Sequence, residues 1–343
     1  MRAAILSCVV AAGSWAQGYK AERIRVDGFE VIRLEDPSRK AVVSVVPSIG
    51  NNAYEFTVNG KNLFWAPFET LSEWRSKPVL CGNPLLAPWA NRLDQDAFYA
   101  NGKRYVLNPE LGNLRRDANR KPIHGLLAFA PYWKVAALEA DSRRAAVSSR
   151  LEFWRYPDLM AQFPFAHTLT MTYRLQDGAL EVETVLENHA TEPMPVAVGY
   201  HPYFRLHDAP RDEWKVRVAA RERWVLSELL IPTGERRPAG VPEPVSLRDA
   251  VLDDVFGGLV RDREGRATFW VQGARQKISV VYGPQYTVAV VYAPKGRDFI
   301  CFEPMTAVTN GLNLAQEGKY AQLQTIAPGG QWRESFWIRP EGF

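Results

Sequence analysis

His167-Thr168-Leu169-Thr170-Met171-Thr172-Tyr173-Arg174-Leu175-Gln176-Asp177-Gly178-Ala179-Leu180-Glu181-Val182-Glu183-Thr184-Val185-Leu186 is the stretch whose period decides the fold. Leu169, Met171, Tyr173 and Leu175 recur at every second position. Asp177-Gly178 supplies a two-residue turn, and Leu180, Val182, Thr184 and Leu186 alternate back. Side chains two apart share one face of a strand, so this is a β-hairpin with one face in a core. A second hairpin is expected from Ile278, Val280 and Tyr282, a turn at Gly283-Pro284, and Tyr286, Val288, Val290 and Tyr292. Shorter strands are expected over 23–34, 41–47, 54–58, 103–107, 145–153, 214–218, 268–271, 299–303 and 334–338. Helical periodicity is weak, with one short turn of helix expected at 70–75. Many short strands punctuated by Gly, Pro and Asn turns predict an all-β chain, a large antiparallel β-sandwich.

Length suggests two domains, but all-β folds of this size are often one unit. No Gly/Ser or Pro-rich linker, low-complexity tract or internal repeat divides the chain of 343 residues. The expected organisation is therefore a signal segment over 1–16 and one sandwich domain over 17–343. Arg2 precedes the apolar run Ile5–Ala12, and Ser14-Trp15-Ala16 is a small-x-small cleavage site. That pattern predicts a secretory signal and an exported, periplasmic or extracellular, protein. The run is too short to span a bilayer, and no later stretch does better. Cleavage would leave Cys81 and Cys301, which either pair or serve as unpaired core residues. A net charge of +4 on scattered basic residues gives no stripe for nucleic acid. The densest basic run, Arg115, Arg116, Arg120 and Lys121 interrupted by Asp117, reads as a solvated loop. No nucleotide or metal motif is present, so no cofactor and no metal are expected.

Five segments place titratable groups among apolar or turn residues. They are Pro88-Trp89-Ala90-Asn91-Arg92, Ile123-His124-Gly125, Gly199-Tyr200-His201-Pro202-Tyr203-Phe204, Leu252-Asp253-Asp254-Val255-Phe256 and Phe302-Glu303-Pro304-Met305-Thr306. Glu303 closes an apolar strand, where an unpaired charge is costly. A carboxylate and a histidine are the side chains suited to giving and taking protons near neutral pH.

In this order, the five segments resemble the aldose 1-epimerase, or galactose mutarotase-like, family. The stretch Gly82–Leu93 is similar to the family's segment ending in Asn-Arg-hydrophobic, and Ala327-Pro328-Gly329-Gly330 to its closing turn. The resemblance covers about 23–340. It implies a galactose mutarotase-like sandwich that interconverts the α and β anomers of a free aldose. It also implies Glu303 as general base and His201 as general acid. His124, Arg92, Asp253 and Asn91 would bind sugar. Asp253 is preferred to Asp254 on its spacing to Phe256. Two positions depart from the family: Leu126 stands where it has a glycine, and Gly330 where it has a glutamate. The implied partner is a small sugar, with the protein a monomer or homodimer. Alternatives from the same residues are a non-catalytic carbohydrate-binding protein on this fold and a sugar-phosphate 1-epimerase. A glycoside hydrolase built on Asp253 and Glu303 fits two histidines poorly.

Overall fold

Alternation along 167–186 does what elementary sterics require. The computed structural model describes residues 18–343, and the signal-segment reading lies outside them. His167–Gln176 pairs antiparallel with Ala179–Asn188, with Leu169 opposite Leu186 and Tyr173 opposite Val182. Asp177 and Gly178 both take positive φ, at 51° and 71°, as a tight two-residue turn demands. This hairpin sits inside a nine-stranded antiparallel sheet that runs from Val245–Ser246 at one edge to Lys134–Ala140 at the other.

An eight-stranded sheet packs against it. Its central strands are Leu252–Leu259, Val288–Ala293 and Ile300–Met305, followed by the short Gly199–Tyr200 and Leu85–Leu86. Phe302 from this sheet lies 6.1 Å from Phe269 of the other, and Tyr200 lies 4.9 Å from Phe336. All four rings are fully buried, and each contributes roughly 1.5–3 kcal/mol on leaving water. A five-stranded antiparallel sheet, from Lys20–Val26 to Lys61–Asn62, covers one end. The fold is the expected antiparallel sandwich. The expected helical turn is Leu71–Ser76, capped by Thr70 Oγ1 accepting from the Glu73 N–H.

Two expectations are corrected. The 23–34 strand is two strands, Lys20–Val26 and Phe29–Asp36, because Asp27 and Gly28 at φ 51° and 84° reverse the chain. The 278–292 hairpin does not exist. Lys277–Tyr282 belongs to the nine-stranded sheet, paired with Ala267–Gln272 and Gln331–Glu341. Val288–Ala293 belongs to the eight-stranded sheet. The connection is tethered to the 331–341 strand, since Gly283 N–H donates to Ser335 O at 3.1 Å and Gln285 N–H to Glu334 Oε2 at 2.5 Å. Tyr286 is then buried between the sheets, and the chain crosses instead of turning back. Cys81 and Cys301 are both buried and unpaired. No helix among the described residues is long and apolar enough to cross a membrane.

Candidate active site

Strand register gathers half of the site. Asp253 is opposite Tyr292, which is opposite Cys301, which is opposite Tyr203. One rung along, Val255 is opposite Val290 and Val290 opposite Glu303. Cross-strand partners share a face, as do residues two apart, so Asp253, Tyr292, Glu303 and Tyr203 all project from one side of the sheet. Phe302, Phe204 and Phe256 project from the other, into the core. The Pro-containing segment after Tyr200 keeps His201 on the outer face, where its ring stacks on Tyr203 at 4.5 Å and 11°.

His201 Nε2 lies 3.2 Å from Glu303 Oε1. Both are buried, at 6% and 1% exposure. Burial disfavours either charge. It pushes the Glu303 carboxyl well above its ordinary value, helped by Asp253 and opposed by Arg92. It also pushes the His201 ring down to about 3, helped by the positive charge of Arg115. Both shifts act in the same sense, favouring the protonated carboxyl and the neutral imidazole over the charged pair. Glu303 Oε2 and His201 Nδ1 have no protein hydrogen-bond partner among the described residues.

The second histidine comes from loops zipped edge to edge. His124 N–H donates to Asn91 O at 2.9 Å, and Arg92 bridges Ile123. Gly125 approaches Ala87 so closely that a Cβ there would stand 2.2 Å from the Ala87 carbonyl oxygen. Leu126, at the family's glycine position, donates its N–H to the same carbonyl at 2.7 Å. Asn91 and His124 themselves take left-handed conformations, at φ 58° and 63°. Such backbone in non-glycine residues is costly and clusters where side chains must be aimed. The result sets the His124 ring edge-on to His201, with centroids 5.4 Å apart. Burial lowers the His124 pKa well below normal, and the neighbouring His201, Arg115 and Arg92 add to it.

Arg92 is held by two partners. Its Nε donates to Asp117 Oδ2 at 2.7 Å, and its Nη1 to Asn91 Oδ1 at 3.1 Å. Burial opposes ionisation of Asp117, but hydrogen bonds from Arg92 and Lys121 outweigh it and hold the carboxyl below its usual range. Asn91 thus spends its side-chain oxygen on positioning Arg92. Asp253 keeps access to water at the rim. Partial loss of solvent raises its carboxyl, with Arg92 opposing. Asp254 faces away and lies 3.7 Å from Arg223.

The expected residues therefore converge. Sequence reasoning missed three others: Tyr292, which the alternation Val288-Val290-Tyr292 places on the site face, and Asp117 and Arg115, which only the folded loop brings in. The solvated-loop reading of 115–121 holds for Arg116, paired with Asp96 at 2.8 Å, and for the exposed Arg120. It fails for Asp117 and Arg115, which the loop turns inward. A cleft of about 470 Å³ opens on the other sheet between Arg174, Glu181, Trp337 and Arg339, but it holds no buried acid–base pair.

The large antiparallel sandwich has the fold of galactose mutarotase-like proteins. The aldose 1-epimerase family model matches residues 30–339, and the chain belongs to that family. A galactose mutarotase-like protein from Clostridium acetobutylicum superposes with a TM-score of 0.84 at 19% identity, over 95% of this chain and 99% of that one. The galactose 1-epimerase of Lactobacillus acidophilus NCFM superposes at 0.71 with 17% identity, over 95% and 100%. In sequence, the uncharacterized protein YihR of Escherichia coli K12 is 27% identical over 149 residues, 43% of this chain and 44% of that one.

Proposed function

We propose that the protein is an aldose 1-epimerase that opens and recloses a free pyranose with Glu303 and His201. The observation that carries this reading is the 3.2 Å contact between the two groups in a buried, aromatic-walled floor. Sugar hydroxyls and the nearby Arg92 favour the ionised arrangement, carboxylate and imidazolium, reached by moving the shared proton from Glu303 to His201. Glu303 then takes the proton of the C1 hydroxyl while His201 protonates the ring oxygen. The bond between C1 and the ring oxygen breaks, and the open-chain aldehyde forms. Rotation about C1–C2 presents the other carbonyl face. On closure, His201 takes its proton back from the C5 hydroxyl, and Glu303 returns its proton to O1. Positioned proton transfer of this kind is worth about 10²–10⁴-fold. Arg92, Asp253 and His124 would hold hydroxyls, with His124 beside the ring oxygen.

The test is polarimetry of freshly dissolved α-glucose, α-galactose and other aldoses with purified protein. Acceleration of at least one above its spontaneous rate is expected. A protein that binds these sugars with no acceleration would instead be a binding module on the same fold.

A further inference from the structure

Several arginines around the site are matched to acids, and Arg115 is not. Arg92 has Asp117, Arg116 has Asp96, Arg223 has Asp254 and Arg205 has Asp298, at 2.7, 2.8, 3.7 and 3.1 Å. Arg115 has no carboxylate within 4.0 Å among the described residues, and its Nε is buried without a hydrogen-bond partner. Yet its place is well fixed. Its carbonyl accepts the Ile123 N–H at 3.0 Å, next to His124. Its guanidinium sits 5.0 Å over the Phe129 ring, which packs in the apolar cluster of Tyr203, Phe299 and Cys301. Tyr203 in turn stacks on His201. The exposed Arg75 donates to the Phe129 carbonyl at 3.5 Å and has no ion pair among the described residues.

A partly buried guanidinium without a counter-charge is costly, and stacking on an aromatic ring offsets only part of that cost. We propose that the sugar taken by this site carries an anionic group on its exocyclic carbon and that Arg115 receives it. This rests on the epimerase reading of Glu303 and His201 for its orientation. The ring oxygen lies between C1 and C5, so a substituent on C5 falls on the histidine side of the ring. Arg115 lies on that side: its carbonyl holds Ile123 next to His124, and its ring partner Phe129 packs with Tyr203, which stacks on His201. Carboxylate, phosphate and sulfonate share the oxygen geometry that a guanidinium fork accepts.

The experiment compares anomer exchange of D-glucose, D-glucuronate and D-glucose 6-phosphate by NMR, using the full chain and its R115Q and R115K variants. Wild type should favour at least one anionic sugar in kcat/KM by about tenfold or more, the worth of a charge-assisted hydrogen bond. The sugar favoured names the group. R115Q should bring the ratio to within about threefold of unity, and R115K should keep most of it, which a merely structural role for Arg115 would not do. A wild type with no anionic preference, or an R115Q protein that keeps the wild-type ratio, overturns the proposal. Calorimetric binding separates the two readings. Arg115-dependent binding of an anionic sugar without turnover would retire the epimerase and leave the subsite standing. Turnover of glucose without preference would do the reverse, and a protein that neither binds nor turns over an anionic sugar ends the subsite.

Discussion

Glu303→Gln separates what this side chain does for the reaction from what it does for the fold. Glutamine keeps the shape and one acceptor but cannot take the C1 proton, so turnover should fall about 10²–10⁴-fold with KM little changed. Folding should not suffer. Burial raises the Glu303 carboxyl, so its contribution to stability is full at low pH and is lost as pH rises through the folded pKa. E303Q escapes that loss, and at pH 8 its denaturation midpoint should equal or exceed wild type. A variant both slow and less stable would mean that Glu303 is structural. His201→Asn should match the kinetic loss, and the double variant should be no slower than the worse single, because either change alone already removes the concerted transfer. Sequence made these two residues legible because a carboxylate ending an apolar strand and a histidine between aromatics conflict with their surroundings. It left Arg115 illegible, since nothing local distinguishes it from Arg116. Only the turn of the loop sends one inward to Phe129 and the other outward to Asp96.

At the scale of the strand, Asp253 and Asp254 are neighbours with opposite fates. Period two alone dictates that, once one faces the sugar side, the other cannot. Register decides which is which: Asp254 is opposite Val291 and Val291 opposite Phe302, whose ring packs on Phe269 of the other sheet, so Asp254 shares the inner face and Asp253 does not. D253N should lower kcat/KM about tenfold or more, mostly through KM, because the proposed hydroxyl contact would be present before and during ring opening. D254N loses only a part-exposed pair with Arg223, worth about 0–1 kcal/mol of stability, and should stay within about threefold of wild type. Steady-state anomerisation of both variants checks this, and a reversed order would transfer the site role to Asp254. The same periodicity that revealed these faces could not reveal partners. Residues 278–292 alternate as a hairpin would, yet the five residues after Tyr282 carry the chain to the other sheet. Alternation is local, whereas sheet membership depends on Ser335 and Glu334, some fifty residues away.

Across the whole molecule, three of the five histidines are buried, His124, His167 and His201, and burial lowers the pKa of each. That shared feature sets how the sandwich responds to acid. A histidine whose folded pKa is depressed binds its proton first in the unfolded chain. Its contribution is therefore present above the unfolded value of about 6.5 and withdrawn as pH falls toward the folded value. Glu303 acts oppositely above its own unfolded pKa, so between about pH 4.5 and 6.5 three groups favour the unfolded chain on acidification and one resists. Stability should fall over that window. His167 isolates the effect because it lies outside the site, in the hairpin that began the sequence reading. It stacks on Phe153 at 4.2 Å, its Nδ1 lies 2.6 Å from Phe165 O, and its pKa is pushed down to about 4. His167→Phe keeps the stack and removes the titration. Between pH 7 and pH 4, wild type should lose on the order of 3 kcal/mol more than H167F, whatever the two differ by at pH 7. Denaturant unfolding of both proteins at several pH values measures that difference of differences. Parallel curves would mean that His167 takes up its proton as readily in the folded chain as in the unfolded one, and that acid sensitivity lies with the site histidines alone.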